Sequence, residues 1–278
     1  MRNIDEHTIT RAFVQRLDAC DNPRLKEVLT SLVSHLHDFA RDVKLIEGEW
    51  MAGIQFLTRT GQMCNDTRQE FILLSDTLGL SMLITAMNHA KPAGCTEATV
   101  FGPFHTDDAP HVAQGEDIAR GAPGKPLDVD VTLRSTDGAP LAGAEVDVWQ
   151  ADDSGKYDVQ IEGLRERRAR AVLRSDAQGR VRFTSIVPTA YPVPTDGPVG
   201  QMLVATGRHP WRPAHLHFMI KADGHETLVT HLFREGDPYL DSDVVFGVRN
   251  SLIVSMPENP RARGRHLLQH DFVLNPAR

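Results

Sequence analysis

The fold of this chain is decided by residues 127–133, which read LDVDVTL. Successive side chains of a β-strand point to opposite faces, so this strict alternation predicts a strand with one face in a core. Similar alternation recurs at residues 146–148, 181–187 and 228–233, with glycine- and proline-containing turns between the runs. Short strands at close spacing predict an antiparallel sandwich or barrel, and we interpret the pattern as a β-sandwich.

The first hundred residues follow a helical period instead. Asn22 is suited to cap a helix, with Pro23 at the first helical position, and Thr67 with Glu70 has the spacing of a capping box. Apolar residues three and four apart predict helices over residues 23–43, 47–60 and 71–89. The chain is therefore predicted to be α+β, with a helical N-terminal domain of residues 1–100 followed by an antiparallel β-sandwich domain of residues 101–278.

Composition excludes several classes of protein. The 278 residues carry 30 basic and 37 acidic side chains, a net charge of −7, and no Lys/Arg-rich run, so nucleic acid is not expected as a partner. The sequence contains no stretch of 18 apolar residues, so no membrane span is predicted. The N-terminal residues also lack the apolar segment of a secretion signal. Three scattered cysteines predict neither a disulfide framework nor a C-x-x-C zinc site. A cytoplasmic location is expected.

The segment 212–217, RPAHLH, places two histidines two residues apart. In a strand, His215 and His217 share one face while Leu216 and Phe218 point to the core. Two imidazoles on one face make half of a metal site, which zinc, manganese, copper or iron can occupy. The spacing alone fits two polar residues on a solvated sheet face equally well.

Tyrosine is rare in this chain: there are three, against thirteen histidines. Tyr157 and Tyr191 lie upstream of the His-x-His pair, where strands are expected to end, and Tyr239 lies in a turn beside Pro238. Because the ordinary phenol pKa is near 10, a tyrosine ligand requires a strongly Lewis-acidic ion, and ferric iron meets that requirement. For a single tyrosine, packing or hydrogen bonding is the commoner role.

Taken together, Tyr157, Tyr191 and the RPAHLH segment resemble the intradiol ring-cleaving dioxygenases, which are non-haem Fe(III) enzymes. The resemblance covers nearly the whole chain. It implies one Fe(III) per subunit, held by Tyr157, Tyr191, His215 and His217, and cleavage of a small aromatic diol or triol by O₂. It also implies a homodimer formed through the N-terminal helices, which hold a lipid in relatives; whether this chain binds lipid is left open.

Within that family, the resemblance is strongest to members that cleave hydroxyquinol (1,2,4-trihydroxybenzene) to 3-hydroxy-cis,cis-muconate, which tautomerises to maleylacetate. It implies catalytic roles for Arg212, which would stabilise negative charge on the ring, and for Tyr191, which would leave the metal and take a substrate proton. Asp76 would accept a hydrogen bond from the third ring hydroxyl. The implied substrate-binding positions are Leu73, Asp76, Val100, Phe101, Gly102, Pro103, Phe104, Val193, Pro194, Arg212, His231 and Val245.

Other interpretations stay open on the sequence. Within the family, catechol or chlorocatechol is the alternative substrate. A zinc- or manganese-dependent hydrolase could use His215 and His217 with Asp243 as third ligand, although it leaves both tyrosines unexplained. A non-catalytic sandwich module is suggested by residues 141–149, which resemble strand pairs of transthyretin-like binding domains.

Overall fold

The computed structural model describes residues 2–66 and 68–277. The chain forms two compact units, Met1–Arg59 and Thr60–Arg278. Helices and strands segregate along the chain as the α+β prediction requires, and that fold class is confirmed. The domain boundary after residue 100 stays a prediction, since the second compact unit already begins at Thr60.

The first unit contains helices α1 (Ile9–Arg16) and α2 (Pro23–Asp42) and most of α3 (Glu47–Gln62). Asn22 caps α2 as predicted: its Oδ1 accepts a hydrogen bond from the Leu25 amide at 3.0 Å, which satisfies an amide without a helical partner. The apolar side chains of α2 are about half exposed in this single chain, for example Leu32 at 51% and Phe39 at 53%.

Helices α4 (Glu70–Thr77) and α5 (Leu80–Asn88) replace the single helix predicted over residues 71–89, and that prediction is wrong. The two axes bend by 76° at Gly79, whose φ of +77° lies in the left-handed region that favours glycine. Of the predicted capping box, Thr67 lies outside the described residues. Glu70 caps a different helix, because its Oε1 accepts a hydrogen bond from the Val199 amide at the start of α6 (Pro198–Ala205).

Within residues 2–66 and 68–277, no single helix is both long and apolar enough to cross a membrane. The bent pair α4 and α5 passes that test only when the two helices are taken together.

Two sheets make the sandwich. The strands are β1 (Pro126–Ser135), β2 (Glu145–Trp149), β3 (Arg170–Arg174), β4 (Arg180–Ile186), β5 (Tyr191–Pro192), β6 (Trp211–Arg212), β7 (His215–Lys221), β8 (Leu228–Arg234), β9 (Ile253–Val254) and β10 (His266–Leu274). One sheet has the strand order β10-β1-β4, the other β3-β2-β7-β8-β9, and a two-stranded ladder joins β5 and β6. Most pairs are antiparallel, but β1 with β10 and β8 with β9 run parallel.

The core lies between these two sheets, and the predicted alternation supplies it. Leu127 and Val131 of β1 pack in one cluster with Val148 of β2 and with Leu216 and Phe218 of β7, all 0% exposed. Because β7 turns these apolar residues inward, its histidines emerge on the opposite face of the sheet. That face carries the candidate site.

Candidate metal centre and cavity

Four polar atoms meet at the outer face of β7. Tyr157 Oη lies 2.8 Å from His217 Nε2 and 3.0 Å from Tyr191 Oη, and the Nε2 atoms of His215 and His217 are 3.1 Å apart. All four side chains are at most 4% exposed. The four residues predicted as ligands are therefore brought together from three separate segments of the second unit, because His215 and His217 share one strand.

Local structure fixes each tyrosine. Tyr157 precedes a short 3₁₀ helix, Asp158–Gln160, and its amide donates to Gln160 Oε1 at 2.9 Å. Tyr191 stands opposite Arg212 in the β5–β6 ladder. Gly155 has φ +78°, and a Cβ there would lie 2.9 Å from the Tyr191 Cβ, so both conformation and space require glycine.

Burial makes the four donors neutral in the protein alone. It raises the pKa of Tyr157 well above the ordinary value, helped by Tyr191, and it raises the pKa of Tyr191 although the Arg212 charge opposes this. Burial also lowers the pKa values of His215 and His217 well below the usual imidazole value. A neutral imidazole offers a lone pair to a metal ion. A buried phenol loses its proton when a strongly charged cation coordinates its oxygen. The set fits a hard, highly charged metal ion.

A third histidine stands beside these donors. His231 of β8 is directly opposite His217 in the sheet, 0% exposed, with ring centroids 4.1 Å apart. One ring nitrogen from each of His215, His217 and His231 lies within 4.8 Å of the others, a cluster that could hold a metal ion. His231 Nδ1 faces Arg212 Nη2 at 3.5 Å.

Arg212 contributes a buried positive charge. Its side chain is 4% exposed, its Nη1 lies 3.2 Å from His215 Nε2, and its Nε donates to Asp243 Oδ1 at 3.2 Å. Burial disfavours the charge, but the Asp243 carboxylate together with the oxygens of Tyr191 and Tyr157 outweighs burial and raises the Arg212 pKa above its ordinary value. Asp243 pairs with Arg212 and with the amides of Val245 and Gly247, which is not the metal-ligand role that the hydrolase alternative gives it.

A cavity opens on Tyr191 and Arg212, and most predicted substrate-binding residues line it. Phe101 does not: it is 43% exposed and packs against His105 and Trp149. His231 also lies outside the lining. The predicted residues that do line the cavity are Leu73, Asp76, Val100, Gly102, Pro103, Phe104, Val193, Pro194, Arg212 and Val245, and the structure adds Arg68, Gln69 and Glu70.

Of the two acidic side chains that line this cavity among the described residues, Glu70 is paired with Arg68, and the other is Asp76. It is 6% exposed, and burial raises the pKa of its carboxyl above the ordinary value, while a hydrogen bond from Ser81 and the charge of Arg212 oppose that rise. A carboxyl group so placed can accept a hydrogen bond from a polar group that enters the cavity.

Sequence reasoning missed the side chains that support the donors. Arg170 and Asp158 form a fully buried ion pair next to Tyr157, and Trp149 stacks on His217 with ring centroids 4.7 Å apart. Asp158 follows Tyr157 directly, which is a local signal of its proximity. Trp149 and Arg170 meet the site only through strand register, which the local pattern does not encode.

Comparisons with known proteins point to one family. A family model described as "Dioxygenase" matches residues 100–276, and one described as "Catechol dioxygenase N terminus" matches residues 22–96. The chain is 60% identical to 6-chlorohydroxyquinol 1,2-dioxygenase of Cupriavidus pinatubonensis, over 99% of both chains, and 49% identical to hydroxyquinol 1,2-dioxygenase of Nocardioides simplex, over 98% and 96%.

Among solved structures, hydroxyquinol 1,2-dioxygenase from Pseudomonas putida is similar, with a TM-score of 0.92, 46% identity and coverage of 98% of this chain and 99% of that one. Catechol 1,2-dioxygenase from Pseudomonas arvilla follows at a TM-score of 0.86 and 32% identity, over 98% and 94%. The resemblance drawn from Tyr157, Tyr191 and the RPAHLH segment is thus confirmed over nearly the full length. The chain belongs to the intradiol ring-cleaving dioxygenase family.

Proposed function

We propose that this chain cleaves hydroxyquinol between its adjacent hydroxyl groups with O₂, using one Fe(III) ion. The observation that carries the proposal is the cavity that joins the buried Tyr157, Tyr191, His215 and His217 donors to the carboxyl group of Asp76. A substrate with two adjacent hydroxyls and a third across the ring matches this arrangement: the adjacent pair would meet the metal donors, and the third hydroxyl would meet Asp76. Relatives at 49% and 60% identity carry names that specify hydroxyquinols, which supports the same substrate class.

Tyr157, Tyr191, His215 and His217 would hold the iron through two phenol oxygens and two imidazole nitrogens. When bound, Fe(III) supplies the Lewis acidity that keeps phenolic oxygens of protein and substrate anionic at neutral pH. The protein provides a dry site for it, since burial removes the water that would compete for the four donor atoms.

Tyr191 is suited to take a substrate proton at its Oη. It lines the cavity, whereas Tyr157 lies behind it at 0% exposure and hydrogen-bonds to both Tyr191 and His217. Burial raises the pKa of Tyr191, which favours the protonated phenol once the oxygen is free. Arg212 lies beside the same point with its permanent charge and stabilises negative charge on the ring.

Asp76 is proposed to select the third hydroxyl. A hydroxyquinol hydroxyl would donate to its carboxyl group, while catechol would leave the carboxyl with only its hydrogen bond from Ser81. Apolar side chains such as Leu73, Val100 and Val245 shape the remaining walls and exclude water from the ring.

The test is steady-state kinetics of the iron-loaded enzyme with hydroxyquinol and catechol, with the ring-opened product identified by mass spectrometry. We expect kcat/KM to favour hydroxyquinol by at least about tenfold, the scale of one lost hydrogen bond to a buried carboxyl group, and Asp76→Asn to shrink that ratio. A wild-type preference for catechol would overturn the substrate assignment. A protein that stays colourless and iron-free after iron is supplied would overturn the metal assignment.

A second candidate substrate is 6-chlorohydroxyquinol, favoured by the name of the 60% identical relative. Both triols retain the hydroxyl that Asp76 would bind, so the same assay run with the chlorinated ring separates them. Equal kcat/KM values would mean that the cavity does not discriminate at that ring position.

We also propose a homodimer formed through the N-terminal helices. The support is the half-exposed apolar face of α2, including Leu32, Leu36 and Phe39, which is large for a surface in contact with water. Light scattering coupled to gel filtration measures the assembly, and mass spectrometry of an organic extract tests for a bound lipid. The cytoplasmic location stays a prediction.

A further inference from the structure

The two candidate ligand histidines are oriented by different means. His215 Nδ1 lies 2.6 Å from the carbonyl oxygen of Pro213, so that nitrogen carries the proton and Nε2 keeps its lone pair. His217 Nδ1 is also buried, yet it has no hydrogen-bond partner among the described residues. Metal-binding histidines are usually held by such a bond at the second nitrogen. The ring of His217 must therefore be oriented by contacts other than a hydrogen bond at Nδ1.

Packing on the ring of His217 supplies that support. Trp149 of β2 is directly opposite His217 of β7, and their rings stack with centroids 4.7 Å apart and planes inclined by 15°. The two side chains are 0% and 1% exposed. On the other neighbouring strand, the His231 ring approaches His217 at 74°, with centroids 4.1 Å apart.

Gly102 closes the remaining side. A Cβ at this position would lie 3.0 Å from His217 Cε1, closer than ordinary packing allows, and the residue has φ +78°. This part of the cavity wall can lie so close to the imidazole only because residue 102 is a glycine. Trp149 and Gly102 together leave the ring little freedom to turn.

We propose that Trp149 and Gly102 are the positioning residues of His217: they hold its imidazole by stacking and close contact, so that Nε2 points at the other three donors. This inference rests on the proposed metal site. A ring released from the stack can rotate and must be ordered again when the ion binds. Loss of comparable supporting partners weakens metal binding by about 10- to 100-fold.

The test compares iron retention in Trp149→Leu and Trp149→Phe. The iron-loaded proteins are dialysed against graded concentrations of a chelator, and iron content is measured with the tyrosinate-to-Fe(III) charge-transfer band. We expect Trp149→Leu to release half its iron at a chelator concentration at least about tenfold lower than wild type. Trp149→Phe keeps a stacking ring, so it should retain iron more nearly as wild type does.

The matched control is Phe218→Leu, which removes an aromatic ring from β7, the strand that carries His217, but from its core face. It should lower thermal stability without changing the chelator midpoint. Equal iron loss in Phe218→Leu and Trp149→Leu would overturn the inference, because general destabilisation would explain both.

Unchanged iron retention in Trp149→Leu would overturn this inference and leave the proposed function standing. If Trp149→Leu does not fold, Gly102→Ala decides: iron loss supports the inference and wild-type retention overturns it. A wild-type protein that binds no iron would overturn the proposed metal site and this inference together.

Discussion

Arg212 and Asp243 form a buried ion pair at the edge of the candidate metal centre, with side chains 4% and 2% exposed. The carboxylate accepts Arg212 Nε at 3.2 Å, and it also accepts the amides of Val245 at 3.3 Å and Gly247 at 2.9 Å. Asp243 therefore both neutralises the arginine and holds in place the loop that contributes Val245 to the cavity wall.

We expect Asp243→Ala to lower the free energy of unfolding by about 3–5 kcal/mol, because it leaves the guanidinium of Arg212 buried without its counter-charge. Urea unfolding of both proteins measures the difference. Glu27→Ala is the control, since Glu27 pairs with Arg24 through side chains that are 68% and 74% exposed, and such surface pairs contribute about 0–1 kcal/mol. Similar losses in the two variants would contradict a special role for the buried pair.

The two tyrosines should respond differently to loss of their hydroxyl groups. Tyr157 lies behind the cavity and bonds two other donors, whereas Tyr191 lines the cavity. We expect Tyr157→Phe to lose most of its iron. Tyr191→Phe should retain more iron yet lose at least about 100-fold in kcat, the scale of a missing proton acceptor.

Iron content and the charge-transfer spectrum, measured on the same samples as the kinetics, separate the two effects. The expectation fails if Tyr191→Phe loses more iron than Tyr157→Phe. It also fails if Tyr191→Phe turns over at the wild-type rate.

Much of the site follows from local patterns in the sequence. The period of two places His215 and His217 on one face, because alternation is a property of a single strand. The break between α4 and α5 at Gly79 could not be predicted from the sequence, because apolar residues continue at helical spacing on both sides of the turn. Only the left-handed φ of that glycine reveals the corner.

Contacts between distant segments could not be predicted in the same way. Arg212 meets Asp243 across 31 residues of chain, and Trp149 meets His217 through the register of β2 and β7. Register is set by the packing of whole sheets, so a single strand's alternation leaves the partner undetermined. The family resemblance supplied the candidate ligands but not these supporting contacts.

The carboxyl of Asp76 gives a stability signal with a defined sign. Burial is the main cause that raises its pKa above the ordinary 3.8, so between 3.8 and the raised value the folded chain holds more protons than the unfolded chain. Stability from this group is therefore fully present below pH 3.8 and is lost as pH rises through that window. Asparagine does not ionise and avoids the loss.

We accordingly expect the stability of Asp76→Asn relative to wild type to increase as pH rises through this window, and then to level off. Urea unfolding of the metal-free proteins at several pH values from 3.5 to about 8 measures the difference, a range that brackets raised carboxyl pKa values. Taking the difference cancels the other titrating groups. A difference that stays constant, or that falls with pH, would contradict a raised Asp76 pKa.

Arg170 should link the stability of the second unit to its metal site. Its guanidinium donates to Asp158, the residue after Tyr157, and to the carbonyl oxygen of Phe104 at 3.0 Å. Phe104 in turn stacks on Tyr157 with ring centroids 4.5 Å apart. We expect Arg170→Leu to cost about 3–5 kcal/mol in unfolding free energy, since Asp158 is left buried and unpaired, and also to weaken iron retention.

Arg167→Leu is the matched control for that experiment. Arg167 lies three residues earlier and pairs with Asp108 through side chains that are 34% and 62% exposed. Its loss should cost less than about 1 kcal/mol, as for exposed ion pairs, and leave the chelator midpoint for iron unchanged. If Arg170→Leu destabilises the fold yet keeps wild-type iron retention, the pair with Asp158 supports the sandwich but not the position of Tyr157.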